Sequence, residues 1–434
     1  MIRLKRQQSM EQGLRPLPVL QNWDCHQCGT CCKEYLVTLS PEEHKIINSQ
    51  NWDITNELGG HRPFRFSGWP WARKIHLNHR PDGACVFLDD KGLCLIQKKH
   101  GYASKPLPCR LFPWILIPSG NRWQVGVRFA CPSAAENKGR PMAVHTPDLE
   151  GYATELVIRE RLQPNSGSDL ATSPSIQGEA TGAWDRFRFA LDILIGLIKC
   201  YPKDISLGIR AGLLWVSHLR EAKLNTLGGS EFVEICNMFA ELVKTEIATG
   251  PTEAGAPGWV ARMLFRQLAA LYTRKDHGPK QGIARQGPLT RLGAILRFSY
   301  GIGPIPRLHA WVPQGTFESA EIPGPPLSRE EEEDLHRYYH LKIISGQFCG
   351  RTNHGMSLVD GFEALALTFP ILLWIRRLGP VDRTRETLTK AMSIVDDHFG
   401  YNKMLGAPVY RIMTRILGNR KEIDKLIRWY SKSQ

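Results

Sequence analysis

The chain lacks the marks of an exported or membrane protein. Met1-Ile2-Arg3-Leu4-Lys5-Arg6 supplies basic residues at the start, but no apolar stretch of the kind a secretory signal needs follows them. A reducing, cytoplasmic location is therefore expected, where thiols stay free and do not pair as disulfides. An uninterrupted apolar run of about eighteen residues is also missing. The nearest approach, 362–378, is broken by Glu363, Pro370, Arg376 and Arg377, so no membrane-spanning helix is expected. Neither an internal repeat nor a helix-turn-helix or RNA-binding signature is present. The formal net charge of +14, from 56 Lys and Arg against 42 Asp and Glu, thus suggests an acidic partner without indicating nucleic acid. Because the basic residues are scattered, a solvated basic surface is the favoured reading. With 434 residues, 42% hydrophobic and 23% charged, the chain can bury a large core and form two or three domains.

Cysteine is present and unevenly placed. Of eleven cysteines, eight fall by residue 131, and four of these stand in Cys25-His26-Gln27-Cys28-Gly29-Thr30-Cys31-Cys32. The others are Cys85, Cys94, Cys109 and Cys131. Adjacent Cys31 and Cys32 are poorly placed to bond to each other, whereas Cys-x-x-Cys lets two thiolates converge on one ion or cluster, so metal is favoured over disulfides. Eight thiols satisfy two tetrahedral zincs, two four-iron clusters, or one cluster with thiols to spare. Cys25, Cys28 and Cys31 have the spacing of the first three ligands of a bacterial ferredoxin run, but Cys32 follows at once where that run has a longer gap. Cys31 and Cys32 should then face different sides, with distant thiols closing the site. Cys200, Cys236 and Cys349 lie in or beside apolar helical segments and read as buried apolar side chains.

The expected fold is α+β: a small loop-rich cysteine-cluster domain with short β-hairpins at 20–140, a short helix and linker at 151–182, and a larger all-α domain at 183–434. Hairpins are expected where Cys85-Val86-Phe87-Leu88 and Leu93-Cys94-Leu95-Ile96 flank Asp89-Asp90-Lys91-Gly92, and where 114–117 and 123–127 flank Pro118-Ser119-Gly120-Asn121. The period of apolar residues predicts helices over 151–161, 184–200, 205–222, 231–248, 259–272, 359–378, 383–399, 409–417 and 420–431. The stretch 164–182, rich in Ser, Gly, Pro and Thr, reads as a linker, and 301–326 as a second Gly/Pro-rich interruption. Ser328 and Glu331 have capping-box spacing at the head of a helix over 329–344.

Other side chains admit two readings each. His26 could ligate, hydrogen-bond a sulfur, or stand exposed; His76 and His79 read as surface histidines. Arg110 could bring positive charge to an anionic cluster or bind a backbone carbonyl. Trp69-Pro70-Trp71 and Trp114 could shield a cluster or simply pack. Asp396-Asp397-His398 reads as a solvated face.

The Cys-x-x-Cys-x-x-Cys-Cys run, the pair Cys85 and Cys94, the segment Lys105-Pro106-Leu107-Pro108-Cys109-Arg110-Leu111-Phe112-Pro113 and the final Cys131-Pro132 resemble the CxxCxxCC zinc- or iron-chelating domain, over about residues 20–135. That family includes YkgJ-type cysteine cluster proteins and the flagellin lysine N-methylases. The resemblance implies that all eight cysteines are metal ligands, holding an iron–sulfur cluster, with a four-iron cluster favoured, or zinc. The methylase branch implies S-adenosylmethionine as methyl donor and a lysine-bearing protein as acceptor. Catalytic residues are not assigned by it: Gly301-Ile302-Gly303-Pro304 is a poor glycine-rich turn, and the cysteine spacing usual in radical S-adenosylmethionine enzymes is absent. The rival reading is a non-enzymatic, zinc-stabilised protein whose basic helical part binds an acidic partner, and a third is electron transfer by the cluster alone.

Overall fold

The computed structural model describes residues 14–15, 20–120, 122–159, 173–178, 183–250, 255–275, 287–419 and 421–433. Short strands precede a mostly helical remainder, an α+β arrangement as expected. Asn22–Trp23 pairs antiparallel with Arg140–Pro141, and Lys74–Leu77 lies between Thr38–Leu39 and Phe64–Ser67 in a three-stranded sheet. The hairpin Trp114–Ser119 with Arg122–Val127 forms as its alternating pattern predicts. Asn121 of its turn and most of the 164–182 stretch lie outside the described residues.

The first predicted hairpin does not form. Leu88 and Cys94 make a single antiparallel bridge, and the residues beyond it become the Leu95–His100 helix. Asp89 sets this turn, its carboxylate accepting from the Lys91 and Leu93 N–H groups at 3.0 and 2.8 Å. Two helices of eight or more residues escaped the period analysis. Pro41–Asn48 begins with a capping box from Ser40 and Glu43, but its single fully buried residue, Ile47, gave no periodic stripe. In Pro288–Tyr300, only Phe298 is fully buried.

The other helices match expectation within a few residues, among them Trp184–Lys199, Ile205–Glu221, Trp259–Thr273 and Arg329–Ile344. At their centre lies Leu358–Arg376, packed by Ile205–Glu221, Thr384–His398 and Glu422–Ser431. Apolar on all sides, it is the one helix among the described residues long and apolar enough to cross a membrane, and 94% of that window is buried inside the molecule. Residues 173–178 are not detached from the core: Ile176 is buried, and the Ser175 and Ile176 carbonyls accept from Leu358 and Val359 N–H groups.

Two apolar clusters organise the interior. The larger joins Trp23, Trp114, Val127, Phe129 and Cys131 to the helices, and the smaller comprises Leu39, Ile47, Leu77, Phe87, Ile96 and neighbours. The N-terminal third is therefore divided, its hairpin belonging to the helical core. Asp396-Asp397-His398 corrects the expectation of a solvated face. Asp396 is fully buried against Lys342, and Asp397 accepts from Lys275 at 2.5 Å, Tyr35 at 2.7 Å and Arg128 at 3.2 Å. Lys275 also pairs with Glu34 at 3.1 Å. Glu34 and Tyr35 lie two and three residues beyond Cys32, so these buried charges clamp the cysteine run to the helical part.

Candidate metal centre

The eight cysteines sit on short elements at the seam between the two apolar clusters. Cys31 and Cys32 lie in the Thr30–Glu34 helix, entered through Gly29 with φ of +67°. Cys94 and Cys131 are the N-caps of Leu95–His100 and Pro132–Ala135, and Cys109 lies in Leu107–Leu111. All eight are free thiols.

Side chains on this seam fall into two neighbourhoods. Cys85 belongs to the smaller apolar cluster, and Cys32, Cys94 and Cys109 pack against it. The Cys85 N–H donates to the Cys32 carbonyl at 2.8 Å. Burial pushes the Cys85 thiol far up, and negative charge on Cys32, Cys109 and Cys94 adds to that. Cys131 belongs to the larger cluster. The loop carrying Cys25 and Cys28 lies over it, tied by the Asp24 N–H to the Lys138 carbonyl at 3.1 Å and by His26 Nδ1 to Ser133 Oγ at 3.1 Å. After burial, Cys28 is the thiol that acts on Cys131, while Cys131 and Cys25 act on Cys31.

The two neighbourhoods meet at Cys31 and Cys32, whose sulfurs are 4.0 Å apart. A hydrogen bond from Cys31 lowers Cys32 to about 7, while the same bond and then burial hold Cys31 up. The two thiols therefore titrate as a pair. Burial also lifts Cys109 to about 12. Such thiols ionise only with compensation, which a bound cation supplies. Backbone N–H groups already favour thiolates: those of Gln97 and Ile96 face Cys94, and those of Ala134 and Ser133 face Cys131. Among the described residues, no three His, Cys, Asp or Glu side chains converge tightly enough to hold a single ion. The donor set fits a thiolate-bound metal in its chemistry.

Lys105 is the cation of this site, and the sequence reading passed it over for Arg110. Burial weakens its ammonium, but charge on Cys94, Cys109, Cys25 and Cys32 outweighs that and holds its pKa above the ordinary value. Arg110 instead donates through Nε to the Lys105 carbonyl at 2.8 Å and pairs with Glu155 at 2.7 Å, its backbone reading. The signal for Lys105 was its place four residues before Cys109 and just before a proline that starts a helical turn. His26 is exposed and hydrogen-bonded to Asp24 and Ser133 oxygens. His76 is not a surface residue: it is buried between Thr38 Oγ1 at 3.0 Å and Ser67 Oγ at 2.6 Å, and His79 is half-buried.

Trp69 and Trp71 stack on each other and stay 70% and 82% exposed, so they neither shield the thiols nor pack on the helices. Trp114 is buried edge-on against Trp23 in the larger core. Cys236 and Cys349 are buried as expected, whereas Cys200 is exposed because it caps the Trp184–Lys199 helix.

No curated protein and no solved structure matches the chain. The seam is nevertheless recognised: residues 24–131, which contain all eight of these cysteines, match the model of the CxxCxxCC family, described as a putative zinc- or iron-chelating domain.

Proposed function

We propose that the chain chelates metal through two nested four-thiolate centres, Cys25, Cys28, Cys31 and Cys131 in one, and Cys32, Cys85, Cys94 and Cys109 in the other. The observation that carries this is that Cys32, Cys85, Cys94 and Cys109 gather at the smaller apolar cluster while Cys131 belongs to the larger, with Cys31 and Cys32 adjacent at the seam. Four thiolates complete either a tetrahedral zinc or a four-iron cluster. The iron–sulfur occupant is favoured by the Cys25, Cys28, Cys31 spacing, that of the first three ligands of a bacterial ferredoxin run.

Anaerobic purification followed by iron, sulfide, zinc and visible absorption per chain tests this reading. Cys28→Ser and Cys109→Ser should each remove about half the metal and spare the other centre, while Cys349→Ser leaves content unchanged. Complete loss from either single variant would replace two centres with one. Iron with matching sulfide supports the cluster; zinc without sulfide supports the structural, partner-binding alternative.

Protein lysine N-methylation with S-adenosylmethionine is the finer reading, supported by the family resemblance alone. Label transfer from methyl-labelled donor to lysines of an added protein tests it. Reversible bleaching without such transfer would favour electron transfer.

A further inference from the structure

A cleft of about 910 Å³ opens where the residues after Cys109 meet the helices. That volume suits a drug-sized molecule. Phe112, Trp114, Phe187, Leu191 and Tyr401 line it. Four arginines line it, Arg15, Arg128, Arg188 and Arg351, against the single carboxylate of Asp192. The buried Nε atoms of Arg15 and Arg128 and the buried Oγ of Ser173 meet no hydrogen-bond partner. Unsatisfied buried donors are costly, and here they line one space.

The charges are also unbalanced. Arg128 is partly answered by Asp397 at 3.2 Å, with its guanidinium 3.8 Å from the Tyr401 ring centre. Arg188 pairs with Asp185, whose side chain is 92% exposed. Arg15 makes no ion pair among the described residues: burial first, then the neighbouring charges of Arg188 and Arg122, lower its pKa, and Asp185 and Asp192 offset this only in part. A carboxylate or phosphate in the cleft would relieve that crowding and take charge-assisted hydrogen bonds from the guanidinium forks.

We infer that this cleft binds an organic anion, a phosphate or carboxylate carried on a flat aromatic body. The rings along its walls suit the body, and the arginines suit the head group. S-adenosylmethionine has a carboxylate of its own but also an ammonium and a sulfonium, a net positive charge that these arginines disfavour, so it should bind more weakly than a net anion.

The test is calorimetric titration of the metal-loaded full chain with AMP and with 2-naphthoate, the two sources of the anionic group. Adenosine and S-adenosylmethionine serve as comparisons. At least one anion should bind saturably with one site per chain and weaken as salt rises. Arg188→Gln and Arg15→Gln should each weaken it about tenfold, with Arg329→Gln, 91% exposed and outside the cleft, having no effect. Circular dichroism would confirm that each variant is folded. The inference is overturned if neither anion saturates at millimolar concentration, if adenosine or S-adenosylmethionine binds as tightly as the anions, or if folded Arg188→Gln and Arg15→Gln bind like the parent chain. Metal content is measured in the same samples, so loss of metal is told apart from loss of the anion site.

Discussion

Replacing Lys342 by Met tests the buried charge network that seats the thiol segment. Lys342 and Asp396 have side chains 1% and 0% exposed, and the ammonium also donates to Gln347 Oε1 at 2.6 Å and the Val127 carbonyl at 3.3 Å. Asp396 in turn accepts from the Ala130 N–H at 3.2 Å, one residue before Cys131. Lys342→Met removes the cation and leaves a carboxylate buried without its countercharge, which costs about 3–5 kcal/mol. Unfolding entropy of about 2.1 cal/mol/K per residue, over a cooperative unit the size of the chain, converts that into a Tm lower by about 3–6 °C.

Thermal and urea unfolding at neutral pH, followed by circular dichroism, would measure the loss. Lys342→Met combined with Asp396→Leu should recover stability to within about 1 kcal/mol of the parent, because the pair gains little over an apolar pair of similar volume. A loss below about 1 kcal/mol for the single variant, or a double variant no better than the single, would refute the reasoning.

Two further outcomes are expected. Burial raises Glu332 to about 7, with Asp204 and Glu331 adding negative charge, so its proton is held more tightly in the folded state and stability falls as pH rises from about 4.5 to 7, by about 3 kcal/mol in full. Glu332→Gln should flatten that slope in urea unfolding, matching the parent near pH 4.5 and exceeding it above pH 7; an unchanged slope would remove Glu332 as its source. Gly92 has φ of +79°, and a Cβ there would meet the Gln27 carbonyl oxygen at 2.8 Å, so Gly92→Ala should strain the turn by about 1–2 kcal/mol and push the Cys25–Cys28 loop outward. Metal lost more readily to a chelator than from the parent chain would show it, and parent-like retention would not.

Much of the helical part was legible in the sequence, because a stripe of apolar residues every three or four positions has one inexpensive solution, and Ser328 with Glu331 even marked where its helix starts. Cysteine type and spacing likewise announced thiolate chemistry, since Cys-x-x-Cys-x-x-Cys-Cys has few other uses. Local pattern failed where a side chain's surroundings come from distant segments. Asp396 and Asp397 carry the same charges in a solvated face or a buried clamp, and only Lys342, Lys275, Tyr35 and Arg128, brought from elsewhere in the chain, make them a clamp. His76 was misread for the same reason, its buried partners Thr38 and Ser67 arriving with neighbouring strands. Which cysteines are neighbours was equally beyond the sequence, because Cys31 and Cys32 are adjacent in the chain yet face thiols more than fifty residues away, Cys131 for one and Cys85 for the other. The cleft and its crowded arginines exist only because the hairpin packs on the helices. Composition and spacing set the chemistry this chain carries; the packing of its two apolar clusters decided where that chemistry is assembled and which charges surround it, because burial and proximity are properties of the folded molecule.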